Sequence, residues 1–335
     1  MRRKKLIALV LASFLVLSLI VWKGTSMLFF SNEEQVPVII QEPEEEHNLR
    51  NTVLYYQDDK GFLVPVMRKI PWPEGKGIAK ASMRALVDNP ANRKDIEDVG
   101  LAPILPANTG ILGMSIKDGL CKVDFTADFL NYGNKQEESA MVKSIVYTLT
   151  EFPTVDNVQI MIEGKSLREL TYGLNVSTPL TREDINYSGT GKNKGKVIVY
   201  YQGTVNGLEN YFVPVTKDIE VGGSVTVVSA LEALIEGPSE DSGLFSTVPS
   251  SLEVINTDVI NGIAYVNFSE EIREINDESI AQDMVKSIAL TLKEYYKNDN
   301  MDIDQISILA DGEEIDFGEV GKEEPAAVPT FANEY

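Results

Sequence analysis

Met141-Val142-Lys143-Ser144-Ile145 recurs, residue for residue, as Met284-Val285-Lys286-Ser287-Ile288. Moving outward, Val53-Leu54-Tyr55-Tyr56-Gln57 is repeated as Ile198-Val199-Tyr200-Tyr201-Gln202, and Val64-Pro65-Val66 as Val213-Pro214-Val215. The dipeptide Asp118-Gly119 returns as Asn261-Gly262. The copies lie roughly 145 residues apart, a domain length and far beyond the period of a solenoid. A chain of 335 residues with 43% hydrophobic content can give each of two domains its own core.

Within each copy the periodicities change in the same order. Val53 to Gln57 and Phe62 to Val66 are β-rich runs around Asp58-Asp59-Lys60-Gly61 and read as a hairpin; the second copy has a longer connection, Gly203 to Asn210. A helical stripe follows, Ala79, Met83, Leu86 and Val87 in one copy and Val227, Leu231, Leu234 and Ile235 in the other. It stops near Asn89-Pro90 and Gly237-Pro238. Beyond a loop closed by Pro106 or Pro249 comes a second hairpin, Ile111 to Lys117 with Leu120 to Phe125. Its turn, Asp118-Gly119 or Asn261-Gly262, tolerates the positive φ of a type I′ turn. The next helix carries Met141, Val142, Ile145, Leu149 and Phe152, matched by Met284, Val285, Ile288, Leu292 and Tyr295. Val158 to Ile162, or Ile306 to Leu309, closes each unit. The expected fold class is α+β: two tandem homologous domains, each β-β-α-β-β-α-β, with helices packed on one face of a mostly antiparallel sheet.

The N-terminus stands apart. Arg2-Arg3-Lys4-Lys5 precedes an apolar run from Leu6 to Trp22, at the lower limit for spanning a bilayer. No clear small-x-small cleavage site lies between Val21 and Ser31, so residues 1–30 read as a retained single-span anchor, with a cleaved signal as the alternative. The basic cluster stays cytoplasmic and the rest is extracytoplasmic. Residues 31–51, with Pro37, Pro43 and a run of glutamates, read as an acidic stalk. The first domain is expected over 52–182, a linker over 183–196 containing the Gly/Lys-rich Ser188 to Lys196, the second domain over 197–320, and a flexible tail over 321–335.

Beyond residue 30 the chain carries 25 basic and 51 acidic residues, a net charge of −26. Such a field repels phosphate backbones and anionic headgroups, which disfavours nucleic acid and a peripheral basic membrane patch. Cys121 is the only cysteine, so no intramolecular disulfide forms. It shares a strand face with Val123 and Phe125, as Ala264 does with Val266 and Phe268, and reads as a core residue.

Residues for catalysis are scarce. The sole histidine, His47, lies in the stalk, away from both domains. Asp299-Asn300-Met301-Asp302-Ile303-Asp304 alternates oxygen ligands but lacks the glycine and distal glutamate of an EF-hand loop, and the first copy offers only Thr154-Val155-Asp156 there. Asp124 and Asp128 suggest an acid pair, yet their counterparts are Asn267 and Glu271, so strand-end polar roles are the better account. Gly222-Gly223-Ser224 reads as a helix start capped by Ser224 rather than an anion cradle. In Tyr55-Tyr56 and Tyr200-Tyr201, adjacent strand residues point to opposite faces, so one tyrosine of each pair is expected in the core and the other at the surface. No histidine, cysteine pair or carboxylate shared by the two copies marks a catalytic site. The expectation is no catalytic, cofactor-binding or metal-binding residue, and no enzyme.

The Tyr-Tyr strand, the Val-Pro-Val run, the hairpins leading into Val123-Asp124-Phe125 and Val266-Asn267-Phe268, and the helices with Thr148-Leu149 and Thr291-Leu292 together resemble the GerM family of sporulation and germination proteins. That family carries two GerMN domains behind an N-terminal membrane signal. The resemblance covers about residues 53 to 320 and rests on order and duplication. It implies domains similar to the ring-building motifs of secretion systems, and a non-catalytic role supporting the channel between mother cell and forespore. The implied partners are the membrane, through the N-terminal segment, and proteins of a transenvelope sporulation complex. The rival reading is a cell-wall protein that binds cortex peptidoglycan, or an enzyme that acts on it. Family members are often lipoproteins, and this chain lacks the lipobox cysteine.

Overall fold

The computed structural model describes residues 48–72, 77–187, 189, 195–205, 209–219, 225–298, 301–315 and 325–335. The expected anchor, most of the stalk, His47 and much of the Gly/Lys-rich linker lie outside the described residues. Residues 48–335 make one compact unit.

The first repeat runs β1 (Asn48–Asp58), β2 (Leu63–Trp72), α1 (Ile78–Ala85), α2 (Pro90–Lys94), β3 (Leu101–Ala102), β4 (Ile111–Lys117), β5 (Leu120–Phe125), α3 (Lys135–Leu149), β6 (Asn157–Ile162) and β7 (Lys165–Ser166). The second runs β8 (Gly195–Val205), β9 (Glu209–Ile219), α4 (Val227–Glu236), β10 (Val254–Ile260), β11 (Ile263–Phe268), α5 (Glu278–Asn298), β12 (Gln305–Ala310), β13 (Glu313–Glu314) and β14 (Ala326–Ala327). Both contain the β-β-α-β-β-α-β order of an α+β fold. Hydrogen bonding divides each repeat between a leading hairpin, β1–β2 or β8–β9, and a separate sheet, β4-β5-β6-β7 or β10-β11-β12-β13. The closing strands β6 and β12 run parallel to β5 and β11, because a helix crossover returns the chain in the direction it left.

Local chemistry sets these boundaries. Asn89 caps α2 by accepting from Ala91 and Asn92 N–H, with Pro90 in the first turn where no donor is needed. Thr226, rather than the expected Ser224, caps α4 in a reciprocal box with Ser229; Ser224 lies outside the described residues. The hairpin turns take positive φ at both central residues, 50° and 77° at Asp118-Gly119 and 53° and 81° at Asn261-Gly262.

The repeated pentapeptide builds the core. Met141, Ile145, Met284 and Ile288 are buried beside Phe125 and Phe268. Cys121 is buried too, and burial pushes its thiol up to about 11, so it remains a neutral core group.

Residues 325–335 of the expected loose tail are instead docked. β14 pairs with β12, Ala332 and Asn333 are buried, and Asn333 reaches the first repeat. The start of the expected linker is docked likewise, with Ile185 fully buried. Composition suggested looseness, but a few well-placed donors and one apolar side chain fix each segment.

Candidate functional site

Both tyrosines of each pair are buried, which corrects the core-and-surface expectation. Tyr56 and Tyr201 join the main core. Tyr55 packs with Leu63, Tyr147 and Ile185, and Tyr200 packs with Phe212, Leu290 and Ala332. The two foursomes match position for position between repeats. Each hairpin is therefore covered on its second face by a helix and by the segment that follows its own repeat.

The backbone at these tyrosines explains the repeated sequence. Tyr55 lies opposite Pro65 and Tyr200 opposite Pro214. At both, the tyrosine N–H and C=O turn away from the hairpin partner. Thr148 Oγ1 accepts from Tyr55 N–H at 3.1 Å, and Ser144 Oγ donates to its carbonyl at 2.6 Å. Thr291 and Ser287 do the same for Tyr200, at 3.1 and 2.5 Å. Helix side chains thus satisfy strand groups that would otherwise be orphaned. The prolines tolerate their positions because the missing N–H would have pointed out of the ladder.

The outward edges of β2 and β9 form the seam between the repeats. Asn186 Oδ1 accepts from Leu63 N–H at 2.8 Å, while its Nδ2 donates to Leu63 O at 2.8 Å and to Pro214 O at 2.7 Å. Asn333 Oδ1 accepts from Phe212 N–H at 2.7 Å, while its Nδ2 donates to Phe212 O and to Pro65 O, both at 2.8 Å. Phe212 stands in the second copy where Leu63 stands in the first, so the contacts are reciprocal, as in an isologous dimer. The hairpin tips exchange in the same way. Lys60 Nζ donates to Gly243 O at 3.0 Å, and Val205 fills the space beside Gly100. Gly100 and Gly243 both end 3₁₀ turns in the left-handed region at φ 68°.

The lysine of the repeated pentapeptide serves this seam. Lys143 Nζ donates to Asp184 O at 2.6 Å, and Lys286 lies 5.0 Å over the Phe212 ring. Asp58 accepts from Lys60 and Phe62 N–H within its own turn and from the Tyr211 hydroxyl of the other repeat at 2.9 Å. Burial raises its carboxyl above the ordinary range, against the pull of those donors.

A charged cluster closes the seam. Arg182 pairs with Glu151 and lies 3.9 Å from Glu294, and the Tyr55 hydroxyl donates to Glu151 at 3.0 Å. Glu151 and Glu294 are counterparts, at the offset that carries Met141 onto Met284. This corrects the expectation that the copies share no carboxylate; the helix alignment that carries Phe152 onto Tyr295 already places Glu151 on Glu294. Burial opposes the charge of Glu151, but Arg182, Lys297 and its hydrogen bonds hold the carboxyl below the ordinary range. Burial likewise works against Arg182, and Tyr55, Glu151 and Glu294 more than offset it. Arg182, helped by Lys297, keeps Glu151 ionised, which leaves it no proton to donate at neutral pH.

The other sequence candidates stay apart. Asp124 accepts from Gly164 N–H at 2.9 Å, and Asn267 accepts from Gly312 N–H at 2.8 Å, so the acid and the amide do one job. Asp128 is engaged with Thr126 and Asn131 instead. Asp156 and Asp304 donate backbone N–H groups to Gly119 and Gly262 of the type I′ turns. Asp299 and Asn300 lie outside the described residues, and among the described residues no group of three or more His, Cys, Asp or Glu is placed to hold a metal ion.

Two like-folded α+β units clasped reciprocally define a tandem-domain protein whose repeats act as one body. Residues 53–168 and 198–316 each match the family model "Germane: Sporulation and spore germination", and the chain belongs to that family. It is 31% identical over 292 residues to the spore germination protein GerM of Bacillus subtilis (strain 168), covering 84% of this chain and 77% of that protein. The solved structure of the tandem GerMN domains of the sporulation protein GerM from Bacillus subtilis has a TM-score of 0.72 at 28% identity, over 85% of this chain and 99% of that one. The segments bearing Asn186 and Asn333 fall outside the matched ranges.

Proposed function

We propose that this sporulation and germination protein is a non-catalytic, membrane-anchored assembly protein acting outside the cytoplasm, where it supports the channel complex between mother cell and forespore. The observation that carries this reading is the seam. Its buried polar and charged groups are spent on holding the repeats together, which suits presentation of two fixed surfaces rather than acid–base chemistry. Among the described residues no helix is long and apolar enough to cross a membrane; the anchor in this proposal is the apolar run Leu6 to Trp22, read from its sequence. Cortex peptidoglycan is the rival partner.

Complementation of a null strain tests the proposal. The full chain should restore sporulation, and a secreted form lacking the Leu6 to Trp22 run should not, because local concentration at the membrane is lost. Capture of channel proteins by the full chain, without retention on purified peptidoglycan, is the expected partner result. Rescue by the secreted form together with peptidoglycan retention would favour the rival.

A further inference from the structure

A cleft of about 450 Å³ opens beside the first hairpin, bordered by Lys60, Lys135, Lys143, Ser139, Phe62 and Tyr187, and among the described residues no acidic one lines it. In a chain with 51 acids this is a local exception. The three lysines come from the β1–β2 turn and from the first turn and middle of α3; Lys60 and Lys143 each spend one N–H donor on a backbone carbonyl, of Gly243 and Asp184, and keep two more. The acids of that first helical turn are engaged elsewhere. Glu137 accepts from Gly133 N–H and the Asn134 side chain, and Glu138 from Tyr132, Tyr172 and Leu174.

The second repeat serves as an internal control. It has the same fold, yet Glu278 replaces Lys135, Asp283 replaces Ala140, and its hairpin connection from Gly203 to Asn210 has no lysine. The lysines at 60 and 135 are therefore not demanded by the fold. The asymmetry is general: residues 52–182 carry 15 basic and 16 acidic residues, and residues 197–320 carry 5 and 24. From the three lysines and the apolar wall that border it, we propose that this cleft is a binding site for a phosphate-bearing ligand. Lysine ammoniums act as point charges suited to a phosphate. Phe62 and Tyr187 supply an apolar flank for the organic part of a phosphoester. Burial lowers the affinity of Lys143 for its proton, and the neighbouring Asp184 and Glu183 offset that only in part. The assignment is independent of the assembly role.

The test uses the full chain in a zwitterionic detergent at low salt. Binding of sn-glycerol 3-phosphate is measured by calorimetry, alongside protection of Lys60, Lys135 and Lys143 amines from acetylation, read by mass spectrometry. Lys135→Glu, which installs the residue of the second repeat, should weaken binding about tenfold, the loss expected for one charge-assisted contact. Lys117→Glu, away from the cleft, should leave it unchanged. A second arm reads the same protection with the chain in phosphatidylcholine nanodiscs with or without phosphatidylglycerol. Lys135-dependent protection in solution supports a free phosphoester, and protection appearing only with phosphatidylglycerol supports a lipid headgroup. Absence of Lys135-dependent binding in both arms overturns the site.

Discussion

Asn186 donates to the carbonyl of Pro214 and Asn333 donates to the carbonyl of Pro65, so each repeat is held through the proline of the other. Each asparagine also takes both backbone groups of one strand residue, Leu63 or Phe212. Replacement by alanine orphans three backbone groups at once. Asn186→Ala and Asn333→Ala should each lower unfolding free energy by about 2 to 4 kcal/mol. Their effects should couple rather than add, since both act on one seam. Urea denaturation of the two single variants and the double variant checks this; losses under 1 kcal/mol, or strict additivity, would count against a shared clasp.

The docked C-terminus gives a second expectation. Ending the chain at Glu324 removes β14 and Asn333, exposing the edge of β12 and unfastening Phe212 and Pro65. The truncated protein should show a lower urea midpoint and faster hydrogen exchange at Phe212 and Met67, whose N–H groups bond to Asn333. Unchanged exchange at both amides would mean that the tail contributes nothing.

Glu151 supplies the pH dependence. Its folded carboxyl titrates below the unfolded value of about 4.5, so it adds stability that is complete above that value and lost as pH falls through the folded one. Glu151→Gln should cost about 2 kcal/mol at pH 7, since Arg182 loses its nearer partner but keeps Glu294 and partial solvent access. The difference from the parent should shrink below about pH 4. Denaturation across a pH series reads it directly, and a difference constant from neutral to acid would refute the ion-pair account.

How much of this was legible follows from what each signal depends on. Turn dipeptides and helical stripes are local, so the Asp118-Gly119 hairpin and the Met141 helix could be read directly. The double burial of Tyr55-Tyr56 could not, because strand alternation says that two faces exist and not that Ile185 covers one of them. Asn186 and Asn333 escaped notice because they sit in polar segments outside the aligned repeats. Glu151 and Glu294 were within reach of the alignment, but their meeting at Arg182 depends on how the repeats face each other.

Close approach at the seam gives a fourth expectation. Gly100 and Gly243 share a left-handed φ, so alanine strains both about equally, by roughly 1 kcal/mol. Their surroundings differ. A methyl at Gly100 would meet the branched Val205 side chain, whereas at Gly243 it would meet the flexible Lys60 stem, with Cε at 3.2 Å. Gly100→Ala should therefore destabilise by at least about 1 kcal/mol more than Gly243→Ala, the cost of overpacking. Equal losses in thermal unfolding would show that Val205 yields as readily as the lysine.

Asp124 separates a structural carboxylate from a catalytic one. Its Oδ1 accepts the Gly164 N–H, and Asn267 fills that role in the second repeat with its amide oxygen toward Gly312. An amide keeps the acceptor and the shape while removing the charge and proton that an acid or base requires. Asp124→Asn should therefore keep stability within about 0.5 kcal/mol of the parent and complement a null strain fully. Asp124→Ala should cost about 1 to 2 kcal/mol, because the N–H of the β6–β7 turn loses its acceptor. Sporulation efficiency and urea denaturation on the same variants give both readouts. A folded Asp124→Asn protein that fails to complement would place the charge itself at the centre of function and return the enzyme reading to first place.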